Sequence, residues 1–318
     1  MSNANPARLG QINSAGDANA LFLKIFSGEV LSAFERENVM LNYTTTRTIA
    51  NGKSAQFPVT GTITASYHTA GNEILGDPMN KNEKIINIDD MLVSSAFIAE
   101  IDELKNHYDV RSIFSTQMGQ ALAKRIDKHL LNLCVLAGRT AVANVTGGSI
   151  GTKVVNANAI TTATSFIDAV FEGVQKMDEK DVPSSDRVCI VPPALYYKLC
   201  NVDKLVSRDF SDANGDFGKG SVVAIGGVPV VKSNTAVDSF TDQSAVATSG
   251  QNNTYIGNFA NVAGIIIQKS AIGTVKLKDM VLESTYDPRR LGTLMTARMA
   301  CGSGILRPES AVVIQTSA

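Results

Sequence analysis

The chain lacks an excess of charge of either sign: 29 Lys and Arg stand against 30 Asp and Glu, a formal net charge of -1. A protein that gathers polyphosphate by bulk electrostatics needs a clear basic surplus, so direct nucleic-acid binding is disfavoured. Cysteine is scarce as well. Cys134, Cys189, Cys200 and Cys301 lie far apart with no C-x-x-C pair. That fits neither a zinc site nor a stapled secreted fold, and it predicts reduced, packed thiols. No apolar run approaches membrane-spanning length. The opening MSNANPARLGQINSAGDANA lacks the basic-then-apolar order of a signal peptide and reads as a flexible arm. What is present is 318 residues, 44% of them apolar, enough for a sizeable core in one large or two ordinary domains.

Periodicity divides the chain. Leu21, Phe22, Ile25, Phe26, Val30, Leu31 and Phe34 recur at helical spacing behind a candidate N-cap, Asp17. Between Thr45 and Tyr67 the pattern becomes alternation, with Asn51-Gly52 as a hairpin-type turn signal. GNEILGDPMNKN is rich in turn formers, and EKIINIDDMLV then returns with strand-like residues. The whole stretch predicts a long two-stranded excursion with a polar tip, marginal unless another surface covers it.

From Asp109 a single apolar stripe runs through Ile113, Met118, Leu122, Ile126, Leu130 and Cys134, with Gly138 as its stop. It predicts a helix of roughly 40 Å, long for a globular core. A loop and short strand follow, then a second helix carrying Phe166, Val170 and Met177. DRVCIV reads as a buried strand, and Pro192-Pro193 opens a short helix. Strands are expected around Val222 to Ile225, Val228 to Val231 and Val262 to Ile267.

Four motifs suggest chemistry and fail on context. GGSIG at Gly147 to Gly151 matches the nucleophile-elbow pattern around Ser149, but that pattern needs a helix after the serine and a histidine downstream. TKVVNANAI follows instead, and His68, His107 and His129 all precede Ser149. Gly52-Lys53-Ser54 lacks the glycine of a phosphate loop five residues earlier, where Arg47 stands. Gly302-Ser303-Gly304 has Arg307 at the third glycine position of the dinucleotide pattern. DANGDF begins like a calcium loop, yet Phe217 and Val223 occupy its glycine and glutamate positions. No cofactor and no metal are therefore expected.

Six segments taken together and in order, ALFLKIFSGEVLSAF, GKSAQFPVTG, NHYDVRSIFSTQMG, VPSSDRV, KSAIGTVKLKDMVLE and GSGILRPESA, resemble the major capsid proteins of podovirus-type, autographivirus-like double-stranded DNA phages. The resemblance covers most of the chain and is weakest over Gly71 to Glu83, Ala141 to Ala163 and Arg208 to Asn258. It implies an α+β, HK97-like fold. On it, residues 1–43 would form an N-terminal arm and 44–93 an extended loop. Residues 94–181 and 268–318 would form a peripheral domain with a spine helix about 107–138, and 182–267 an axial domain. It further implies a non-enzymatic subunit that self-assembles as hexamers and pentamers into an icosahedral head. The expected partners are a scaffolding protein during assembly in the host cytoplasm, a portal at one vertex and a possible decoration protein. DNA would be enclosed without specific binding, and no membrane is involved. The alternatives are an encapsulin-like nanocompartment shell and, from another class, a serine hydrolase using Ser149.

Arg47, Lys53, Lys81 and Lys84 place positive charge on the excursion, while Glu100, Asp102, Glu103, Glu283 and Asp287 lie elsewhere. The expectation is that basic loop residues meet acidic groups of an adjacent subunit and set register. Phe22, Phe26 and Phe57 are the apolar candidates for inter-subunit contact. Covalent lysine-asparagine linkage of subunits, found in some shells of this fold, is not expected.

Overall fold

The structure is a computed structural model. It describes residues 40–317 except 62, 64, 66, 75, 77, 78, 106–109, 203–204, 206–214, 217–220 and 223. The segment with Phe22 and Phe26 lies outside the described residues, as does most of DANGDF. Two compact units emerge, one from residues 90–126 and 278–301, the other from 40–89, 127–277 and 302–317.

In the smaller unit β4 (Leu92–Ala99) pairs antiparallel with β13 (Gly292–Ile305), from Gly292↔Ala99 to Met299↔Leu92. Strand alternation sends Ile98, Met295 and Ala297 to one face, where they pack on Met118 and Leu122. Those two lie on α2 (Val110–Arg139), the long helix read from the apolar stripe. A short helix, α1 (Glu100–Lys105), follows β4.

The larger unit is built on a six-stranded sheet in the order β5-β14-β11-β6-β10-β9. Its central strands β6 (Arg187–Val191), β11 (Val262–Gln268) and β14 (Ala311–Gln315) are buried at every residue. β5 (Thr152–Val155), β9 (Ala224–Ile225) and β10 (Val228–Lys232) complete it, with β14–β5 and β10–β6 parallel. α3 (Ala163–Asp178) covers this sheet with Phe166, Ala169, Val170, Gly173 and Met177. A Cβ at Gly173 would stand only 3.0 Å from Ile266, so glycine lets the helix approach closely. α4 (Pro193–Leu199) adds Leu195, Tyr196 and Leu199, and α5 (Thr235–Ser239) leads into the long loop before β11.

Strands from distant parts of the chain meet in this sheet: β5 comes from within 94–181 and β14 from within 268–318, while residues 182–267 supply β6, β9, β10 and β11. Local pattern carries no record of that pairing. Gly138 is not the stop of α2, which continues through Arg139. Asn51-Gly52, with Gly52 at φ 117°, turns between strands of different sheets and closes no hairpin. On either side stand β1 (Thr45–Thr48), parallel to β12 (Ile272–Asp287), and β2 (Ser54–Thr60), antiparallel to β3 (Lys81–Asn87).

None of the four cysteines is bridged to another, and three of them are buried. Burial pushes the Cys189 thiol up to about 12, and burial followed by the Asp127 charge raises Cys134. The thiolate is the reactive form, so neither is populated in it near neutrality. Iodoacetamide at pH 8 is expected to label the partly exposed Cys301 while Cys134 and Cys189 react only after unfolding. Rapid labelling of Cys189 in the folded chain would contradict that packing.

Candidate assembly interface

The excursion proves to have a covered base and an uncovered tip. β2 and β3 pair in register from Ser54↔Asn87 to Thr60↔Lys81. One face of the ribbon, Ala55, Val59 and Ile86, is buried. Ala55 and Ile86 pack with Ile88, Val275 and Leu306 of the same unit. The cover that a two-stranded ribbon needs is thus supplied, at its base, by residues of its own unit. Beyond them Gly61 N–H donates to Asn80 O at 2.8 Å, closing the neck of a projecting loop. That loop was expected to be polar, yet Tyr67 is fully exposed and Ile74 is 77% exposed, with Ile63 and Met79 also open. These four are the candidate contact residues that pattern missed. The available signal was an isolated apolar side chain in a turn-rich stretch.

The charged candidates fall into two groups. Lys53 and Lys81 are exposed, while Lys84 is half-buried across from Phe57. Arg47 is engaged within its own unit: it donates to Gln56 O at 2.7 Å and stands over the Phe57 ring, 5.9 Å from the centroid. Phe57 thus packs at home as well.

In the smaller unit Glu100 accepts from the Tyr286 hydroxyl at 2.7 Å, which raises the tyrosine pKa. Glu283 pairs with Arg298 across β12 and β13. Asp287 accepts the Arg289 N–H at 3.0 Å and faces Arg290 at 3.8 Å. Glu103 lies on α1. Most of the acidic candidates thus have partners in their own chain. Such exposed pairs are worth about 0–1 kcal/mol each. Burying an Ile or Met side chain is worth about 1.5–3 kcal/mol. By that comparison, an apolar side chain of the tip has more to gain from being covered than an exposed ion pair has from being formed.

The competing chemistry has no framework. Ser149 sits in the loop between α2 and β5, so a helix precedes it and a strand follows, the reverse of a nucleophile elbow. Gly302 to Gly304 lie within β13, followed only by a single 3-10 turn at Pro308–Ser310 and not by the α-helix that would receive a pyrophosphate. His129 stacks on Tyr255, ring centroids 4.3 Å apart at 6°. Among the described residues, no group of three His, Cys, Asp or Glu gathers at metal-binding distance, and no helix is long and apolar enough to cross a membrane.

Comparison with known proteins settles the class. The model of the Gp10A-like major capsid protein family matches residues 56–315. The chain belongs to that family. It is 34% identical to the major capsid protein of Escherichia phage T7 over 322 aligned positions, covering 94% of this chain and 92% of that protein. The major capsid protein of Enterobacteria phage T3 is 32% identical, with 96% and 94% covered. Among solved structures, the capsid of Cyanophage P-SCSP1u superposes with a TM-score of 0.83 at 39% identity over 99% of both chains. The fold is HK97-like, and the subunit forms the capsid shell of a tailed phage. A phage capsid, and not a nanocompartment shell, is the reading these relatives support.

Proposed function

We propose that the capsid subunit closes its shell as hexamers and pentamers of one chain, each copy laying the 61–80 tip on a neighbour. The observation that carries this is the apolar character of a projecting loop whose Tyr67 and Ile74 stand open to solvent. In this reading residues 1–43 act as a second reaching arm. The charged set of Lys53, Lys81 and Lys84 with Glu100, Glu103, Glu283 and Asp287 contributes register more than affinity. A scaffolding protein guides assembly in the host cytoplasm, a portal occupies one vertex, and a decoration protein adds to the outside. The near-neutral charge suits a container that holds DNA without adsorbing it. The subunit performs no catalysis. Electron microscopy of the purified full-length chain, alone and with the scaffolding protein, tests the reading. Uniform closed shells or tubes are expected, and monomer alone under both conditions would remove it.

A further inference from the structure

The ribbon is held to its own unit in two different ways. The first is apolar contact through Ala55, Ile86, Val275 and Leu306, which is adhesive but gives little direction. The second is a polar cluster where β3 ends. Asp89 Oδ1 accepts from Asn252 N at 2.7 Å, Asn253 N at 3.1 Å and Asn253 Nδ2 at 3.0 Å. Its Oδ2 accepts from the Tyr255 hydroxyl at 2.6 Å. The bonding is reciprocal, because Asn252 Nδ2 donates to Ile88 O at 2.6 Å and Asn253 Nδ2 to Asn87 O at 2.8 Å. Asn87, Ile88 and Asp89 are thereby gripped by a loop more than 160 residues away in sequence.

That loop is itself anchored. Tyr255 stacks on His129 of α2, and its carbonyl accepts from Asn132 at 2.8 Å. Its hydroxyl also accepts from Ser303 N at 3.0 Å. The neighbouring Gly302 has no room for a side chain, since a Cβ there would stand 1.9 Å from Asn87 O. Helix, loop and β13 thus converge on the last residues of β3.

We infer that Asp89, Asn252, Asn253 and Tyr255 form a latch that fixes the direction in which the ribbon leaves its subunit, positioning the tip for its neighbour. Hydrogen bonds are directional where apolar contact is not, and this cluster spends them at the ribbon's base. Its consequence for assembly rests on the reading that the tip contacts another copy; the latch itself does not.

The test is hydrogen exchange on the unassembled full-length chain. Asp89→Ala is expected to speed exchange at least ten-fold over residues 54–60 and 81–88 while the six-stranded sheet keeps its protection. Asp89→Asn is expected to restore most of it. Its oxygen can accept the three Asn252 and Asn253 donors, and its amide can donate to Tyr255, whose proton turns to Ser303 O, 3.3 Å away. Tyr255→Phe keeps the ring on His129 and should give an intermediate loosening, so it carries the test if Asp89→Ala does not fold. Unchanged exchange in the ribbon, or equal acceleration in ribbon and sheet, would overturn the latch. Shell yield is read in parallel and should fall at least five-fold for Asp89→Ala. A loosened ribbon with full yield would overturn the positioning role of the latch, while the tip contact itself is tested separately by removing residues 62–79.

Discussion

A chain in which an Asn-Gly turn replaces residues 62–79 is expected to fold normally and to build no shell. The substitution keeps Gly61 and Asn80, whose backbone hydrogen bond already closes the neck, and two residues of this type suit a tight antiparallel connection. All seven β2–β3 pairs and the covered face beneath them stay intact. What goes is the exposed apolar surface of Ile63, Tyr67, Ile74 and Met79. Burying each Ile or Met on a neighbour is worth about 1.5–3 kcal/mol, and a closed shell repeats that contact at every subunit. The measurements are circular dichroism, a thermal melt within a few degrees of the parent, and electron microscopy. Charge reversal at Lys81 and Lys84 together should act more weakly, lowering yield in a salt-dependent way, because exposed ion pairs contribute about 0–1 kcal/mol. Shells at parental yield from the shortened chain would place the main contact elsewhere.

How much of this was legible depended on whether the relevant contact was local. The stripe from Ile113 to Cys134 needed only its own sequence, and the helix runs Val110–Arg139 where that stripe predicted one from Asp109 to Gly138. DRVCIV and the proline-led helix after it were legible for the same reason. The ribbon was legible as two strands, but its cover was not, because Ile86 meets Val275 and Leu306, far along the chain. β14 shows the same limit. Its place between β5 and β11 is a fact of pairing with strands far along the chain. The charges illustrate it at the candidate interface, where Glu283 pairs with Arg298 on the adjoining strand of its own chain, a contact that local pattern does not announce. Asp89 and the Asn252-Asn253 pair carry no local signal beyond being turn-forming residues in polar stretches. Their meeting exists only in the fold.

Gly151→Ala should destabilise the subunit by about 3 kcal/mol or more, while Ser149→Ala, two residues away in the same motif, should change stability by no more than about 0.5 kcal/mol. A Cβ at position 151 would lie 2.2 Å from Ala137 O, 2.7 Å from Gly138 O and 2.8 Å from Gly138 C. All three are backbone atoms at the end of α2, so no side chain can turn aside to relieve the overlap. The helix end cannot retreat either, because a Cβ at Gly138 would already be 2.9 Å from Val313 N in β14. Gly151, the end of α2 and β14 thus press backbone against backbone. Ser149 is half-buried in a loop and already carries a Cβ, so trimming it to alanine adds no atom to the crossing. Urea denaturation of the two variants separates the alternatives. A parental midpoint for Gly151→Ala would show that the crossing relaxes freely. A large loss there with a silent Ser149→Ala would show that the glycine in GGSIG is required by chain crossing, and that the resemblance to a hydrolase motif is a by-product of packing α2 against the central sheet.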